Sequence, residues 1–331
     1  MRTDLINMVL ILVALLIAFL MPFNSFIVAY AVLGPLHYLT EINWLNEKNY
    51  FTSPNKLWLI PSTMVVAIIS LPKLANYLGL ISTDWLYEFM LVFDILSNPL
   101  LILSLWSAAV LVLVPEGMKR NIGLALGLIP FVGGIVFPTS VVIVGAMLPT
   151  LIHVYAFTIL FMLYGAAKSN AISGLFAALM VLAVPLFIAY IDIDKDLYSI
   201  PQWTKSVFVE SKFHLANLSL AKLLGFADGK NFFFYGSWEL KVQRFVAFAY
   251  IYHYLNWFSK TAIIGWHEGL SGKRVWIVLG LWLAFVLLFA IDYRLGFYSV
   301  LSLSFLHVVL EFPLNVLSIK GIAVWAQQKL R

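Results

Sequence analysis

Apolar runs of roughly 17 or more residues recur from one end of this chain to the other, and few folds can absorb them. They cover about 5–22, 25–45, 57–80, 86–115, 121–138, 142–167, 173–191, 245–264, 275–293 and 297–319. About 20 apolar residues of α-helix match the roughly 30 Å hydrocarbon core of a bilayer, so each run is long enough, or nearly so, to cross one. A soluble core cannot account for this. Of the 331 residues, 62% are hydrophobic and 11% charged, where soluble domains carry about 25% charged residues. The expected fold is therefore all-α: a polytopic integral membrane helical bundle of about nine or ten transmembrane helices. It should occupy residues 1–331 as a single transmembrane domain. The first run is expected to be a span and not a signal peptide, because hydrophobicity resumes at once after it.

Prolines interrupt or end several runs, among them Pro22, Pro35, Pro61, Pro72, Pro99, Pro130, Pro138, Pro149, Pro185 and Pro313, and membrane helices tolerate such kinks. The run at 86–115 reads either as one long tilted helix or as a piece broken at Asn98-Pro99. Gly133-Gly134 reads as a close-packing or hinge point. One extramembrane or interfacial segment is expected at about 192–241, with charges of both signs. Within it Val207 to Leu224 reads as a helix, either lying on the bilayer surface or packed on the bundle.

The chain has no cysteine, which excludes disulfides, thiolate nucleophiles and cysteine-ligated zinc or iron–sulfur sites. The net charge is +5, but Lys and Arg are scattered through short connections and form no patch interleaved with aromatics. Nucleic acid is not an expected partner. The basic residues read as interfacial anchors, and the eleven Trp and fifteen Tyr suit the headgroup belts. The expected partners are the lipid bilayer and a lipophilic small molecule, and the default location is a bacterial inner membrane. Basic residues fall on both sets of alternate loops, so orientation is left open, as is oligomeric state.

A charged side chain at mid-bilayer costs roughly 2.5–3.5 kcal/mol or more, so ionisable residues inside apolar runs are functional-site candidates by default. His37, Glu41, Asp94, His153, His253, His307 and Glu311 stand inside the runs. Two pairs repeat one pattern: His37-Tyr-Leu-Thr-Glu41 and His307-Val-Val-Leu-Glu311. Residues four apart on an α-helix share a face about 5–6 Å apart, so each pair can present an imidazole and a carboxylate to one point. Facing helices of a bundle can build a metal site that way, and such ligands suit iron, zinc, manganese or copper. The same pairs can instead satisfy each other, or a neighbouring helix, by hydrogen bonding alone. His253 and His153 could bring a third and a fourth helix to a common site. His267 lies fourteen residues after His253, roughly 21 Å along an unbroken helix, too far to share an ion with it.

The stretch Gly34-Pro35-Leu36-His37-Tyr38-Leu39-Thr40-Glu41 resembles the early motif of bacterial membrane-embedded β-carotene 15,15′-dioxygenases. In that family a Gly/Pro turn precedes a His and a carboxylate follows four residues on. The resemblance implies a helical membrane bundle holding one iron through histidines, which splits a carotenoid with dioxygen. By position it carries over His37, with Glu41 in place of the usual Asp, and more loosely His253. The chain departs from the family where a second late His is usual, having Trp257, and it has no counterpart of the family's middle His-Phe-Gly-like motif.

The leading expectation is thus a membrane-embedded, metal-dependent oxygenase, with iron (Fe2+) or another divalent transition metal, acting on a carotenoid or other lipid-soluble substrate. His37, His253 and His307 are the expected metal ligands, with His153 for a fourth position. Glu41 and Glu311 would ligate directly or orient imidazoles by accepting their second N–H. The alternatives are a proton- or ion-coupled transporter or channel, favoured by helix breaks at Gly34-Pro35, Asn98-Pro99 and Leu148-Pro149, and a non-catalytic membrane assembly protein.

Overall fold

Leucine- and isoleucine-rich runs bounded by Pro, Gly and Asn leave the backbone one way to satisfy its polar groups without water, the α-helix. The computed structural model describes residues 2–48, 58–137, 147–192, 195–260, 265, 267, 268, 270 and 272–330, with side chains from residue 3. Among these residues every regular element is helical and none is a strand. The elements are α1 (Arg2–Leu20), α2 (Pro22–Glu47), α3 (Leu59–Tyr77), α4 (Asp84–Leu113), α5 (Met118–Leu126), α6 (Leu128–Val136), α7 (Leu148–Ser169), α8 (Ile172–Tyr190), α9 (Gln202–Glu210), α10 (Phe213–Leu223), α11 (Ser237–Ser259), α12 (Lys273–Ile291) and α13 (Tyr293–Lys329).

Nine helical stretches among the described residues are long and apolar enough to cross a membrane, counting α5 and α6 as one. They coincide with nine of the ten runs read from the sequence, and they are consistent with a multi-pass membrane protein. The tenth run is helical from 245 to 259 as part of α11, which is not apolar enough to count, and residues 261–264 of it lie outside the described residues. That helix starts at Ser237 and takes in Lys241, Gln243 and Arg244. The structure also decides several local alternatives. α4 runs unbroken through Pro99, and α2 through Pro35. The run at 121–138 is two nine-residue helices meeting at Gly127, where any side chain would strike Trp106 and Leu103. Gly134 of the expected hinge lies against Pro99, whereas Gly133 faces open space.

The chain packs as two compact units, each assembled from separate stretches of sequence. The first comprises residues 1–37, 150–265 and 321–331. In it α11 is the central helix, with fourteen buried residues, and α1, α8 and α10 pack along it. Gln243, fully buried on α11, accepts a hydrogen bond from Asn217 on α10 at 2.8 Å and donates to the Pro22 carbonyl at 2.9 Å. α7 and α8 touch at Gly174, where an added Cβ would come 2.9 Å from that of Ala166, the close approach that small residues permit between membrane helices. Within the segment expected at the interface lie α9 and α10, which meet at Lys212 in the left-handed region (φ 60°). Phe208, Leu218 and Ala221 are buried and Leu215 and Leu223 exposed.

The second unit comprises residues 38–149 and 266–320. α3 lies on α4, and α4 on α5 and α6. Ser70 and Ser302 share a hydrogen bond of 2.7 Å between α3 and α13. The Trp58 indole donates to the Val309 carbonyl at 3.1 Å. α12 and α13 meet where Gly296 lies against Phe289, so closely that a Cβ would come within 2.7 Å of backbone. α1 and α12 both expose rows of large apolar side chains, such as Val9, Leu12 and Leu16 or Leu279, Leu283 and Leu287, the surface that lipid would cover.

Candidate metal centre

Three helices of the first unit each bring one histidine to the same place. His37 lies on α2, one turn past the kink-prone Gly34-Pro35 pair, and is buried. His253 lies in the middle of α11 and is buried there. His153 is presented differently. The first ten residues of α7, Leu148–Phe157, are π-helical, and His153 sits in the middle of that stretch, 1% exposed. π-helical turns are rare and concentrate at functional sites, because the wider turn redirects side chains that an α-helix would point elsewhere.

Each of these histidines offers one ring nitrogen, and those nitrogens lie within 4.8 Å of one another. The Nε2 atoms of His37 and His253 are 2.9 Å apart, with the rings nearly perpendicular at 83°. The His153 and His253 rings are centred 5.0 Å apart at 69°. Ligands at about 2.0–2.1 Å from a tetrahedral ion stand about 3.3 Å apart. His37 and His253 already meet that requirement to within a few tenths of an ångström, and the widest separation has to close by about 1.5 Å.

Thr158, on α7, decides how His253 presents itself. Its hydroxyl has one proton, and it donates that proton to the Val154 carbonyl at 2.8 Å, the usual back-bond of threonine in a helix. Toward the His253 Nδ1 atom, 2.8 Å away, the oxygen then accepts when His253 carries its proton on Nδ1. That tautomer keeps the lone pair on Nε2, the atom that faces His37. A neutral imidazole with one N–H fixed by a neighbour and the other nitrogen free to donate electrons is the usual form of a metal-ligating histidine. Sequence reasoning missed Thr158. No local signal pointed to it, because its partner stands 95 residues away.

The surroundings are apolar and aromatic. Tyr254 and Trp257 pack against the His37 ring, each with its centroid 5.4 Å away. The Tyr252 hydroxyl donates to the Met162 sulfur at 3.3 Å. Behind them Phe23, Phe26, Tyr30, Phe208, Phe213 and Tyr250 form a continuous cluster of edge-to-face and tilted rings with centroids about 5–6 Å apart. Within it the amide oxygen of Asn256, one turn from His253, is buried and accepts no hydrogen bond.

The chain matches no protein-family model, no curated protein and no solved structure.

His307, Glu311 and Glu41 belong to the second unit. His307 is buried on α13 and stacks on Tyr38, with centroids 4.3 Å apart and planes at 25°. Tyr38 is the residue that follows His37 on α2. Glu41 and Glu311 are both buried, each one turn after a histidine on its own helix. Four residues beyond Glu311, both polar atoms of the Asn315 side chain are buried without a hydrogen bond. Asp94, also singled out by the sequence, is exposed and pairs with Lys73 at 2.7 Å. His267 lies in a turn outside the helices and takes no part.

Proposed function

We propose that this protein is a membrane-embedded metalloenzyme in which His37, His153 and His253 hold one metal ion, most fittingly ferrous iron. The observation that carries the proposal is the meeting of His37, His153 and His253 from three helices, with Thr158 placed to accept from the His253 Nδ1 so that the lone pair on Nε2 faces His37. Uncharged nitrogen donors in an apolar setting suit borderline first-row metals and disfavour magnesium or calcium.

Neutral imidazoles leave a divalent ion with both its charges, which a low-dielectric interior tolerates poorly. Ferrous iron in such a nitrogen set supplies dioxygen-activating redox chemistry. The protein's own part is to keep the imidazoles neutral and oriented, to exclude water, and to hold a long unsaturated lipid against the aromatic wall. The reaction class that fits is dioxygen-dependent oxidation or cleavage of a carotenoid or similar lipid in a bacterial cytoplasmic membrane, as in the dioxygenases that Gly34 to Glu41 resembles.

The transporter reading drew on three helix breaks. α2 and α4 run through two of them, and the third lies at the start of the π-helical stretch that carries His153. The test is direct: iron-loaded protein in detergent, given β-carotene and dioxygen, is expected to form carbonyl products with matching oxygen consumption. An iron-replete preparation that consumes no oxygen with any carotenoid or unsaturated lipid would exclude the oxygenase.

A further inference from the structure

Away from the histidine site, three helices of the first unit bring a lysine and a carboxylate together at one end of that unit. Lys260 closes α11, where its N–H bonds to the Trp257 carbonyl at 3.2 Å. It stands seven residues after His253, two turns or roughly 10 Å along the axis, so both side chains leave α11 on the same side. The helix end is tied to α1 by Ser259, whose hydroxyl shares its proton between the Asn7 Oδ1 atom at 3.0 Å and the Asn256 carbonyl at 2.9 Å. One turn before Asn7 stands Asp4. Its carboxylate accepts from the Ser173 hydroxyl at the start of α8, at 2.6 Å, and its charge acts on Lys260. Lys260 itself is partly buried. Burial brings its ammonium down to about 8, against the opposing pull of Asp4. Roughly a tenth of such a lysine is neutral at pH 7, where an ordinary one is neutral in fewer than about one molecule in a thousand.

A neutral amine in partly apolar surroundings is a nucleophile for a carbonyl carbon. Leu5 and Ile6 next to Asp4, and Ile172 next to Ser173, are exposed apolar residues, which favours a lipid-soluble carbonyl compound over an aqueous one. We propose that Lys260 is a covalent capture site for a lipid-soluble aldehyde, with Asp4 as the counter-charge of the adduct. The proposal rests on the oxygenase reading for the source of that aldehyde, since oxidative cleavage of a carotenoid double bond leaves a carbonyl on each fragment. The Lys260 nitrogen bonds to the aldehyde carbon and gives its two protons to the carbonyl oxygen, which leaves as water. What remains is a carbon–nitrogen double bond, an imine, and neither partner is oxidised or reduced. Protonated at nitrogen, the imine carries the same charge as the ammonium it replaces, so Asp4, held by Ser173, acts on it as it did on the lysine.

The test adds all-trans-retinal, or hexadecanal as a saturated probe, to the full chain in detergent. Cyanoborohydride traps any imine, and peptide mass spectrometry locates the modified lysines. At about pH 7 Lys260 is expected to be at least roughly tenfold more modified than any other lysine, with labelling that rises through a midpoint near 8, the value at which its ammonium titrates. Lys260→Arg should lose that adduct and gain no other. Asp4→Asn, which removes the opposing pull, should move the midpoint to lower pH, and an unchanged midpoint overturns the part given to Asp4. Labelling that is absent from Lys260 or spread evenly over the lysines overturns the proposal, and so does a Lys260 midpoint near the ordinary lysine value of about 10.4. Should a variant not fold, the wild-type map alone decides. The aldehyde is supplied and no turnover is needed, so failure here is separate from failure of the oxygenase reading, which oxygen consumption decides.

Discussion

Thr158 has one hydroxyl proton and spends it on the backbone, which leaves its oxygen to accept from His253 when that imidazole carries its proton on Nδ1. Thr158→Val keeps the shape and removes the acceptor. We expect it to fold normally and to bind metal about 10–100-fold more weakly, the usual effect of removing a group that orients a ligand, read by competition with a chelator. Thr158→Ser should restore most of the affinity. Part of this site was legible in the sequence because ionisable residues in apolar runs are expensive: that argument alone found His37, His153, His253, His307 and both glutamates. It could not find Thr158, whose role arises only when α7 and α11 pack. Nor did it find Arg244, since the apolar run was taken to start at residue 245. A helix can carry Gln243 inside when its neighbours satisfy it, as Asn217 and Pro22 do here, whereas Tyr198 accepts only from the Nε of Arg244 and leaves Nη1 without an acceptor.

The helices themselves were largely visible as apolar runs, because their length follows from bilayer thickness and not from any detail of packing. Prolines were poorer guides. Pro35, Pro99 and Pro313 all lie within continuous helices. In lipid the alternative to a strained helix is unsatisfied backbone, and the helix is the better choice. Contacts between elements were not legible, and glycine packing shows why. Gly296 drew no notice in the sequence, yet Phe289 leaves no room for a Cβ there. Gly296→Ala should therefore destabilise the α12–α13 junction by about 1–3 kcal/mol, seen as a lower Tm, while Gly133→Ala, in open space, should be nearly neutral. α10 offers a pH-dependent counterpart. Burial holds the His214 imidazole below its ordinary value, with Lys212 adding to the effect. The stability that its neutral form contributes is present above about 6.5, the unfolded value, and is lost as pH falls from there through the folded value. His214→Gln should flatten that part of the profile of Tm against pH.

Among the described residues nine helices are long and apolar enough to cross a membrane, and in the proposed function the costly buried histidines of such a chain define one metal centre. A metal bound there binds the folded protein alone, so its removal should lower Tm by mass action. It should also be released by acid, since protons compete for imidazole nitrogens. The most direct test is elemental analysis of the purified protein, with His37→Ala and His253→Ala variants prepared alongside in the same membrane-mimetic detergent. The account predicts close to one transition-metal ion per chain in the wild type, and in both variants near-complete loss of metal with helical content retained. A wild type that is fully stable and metal-free even after anaerobic incubation with ferrous iron would contradict it.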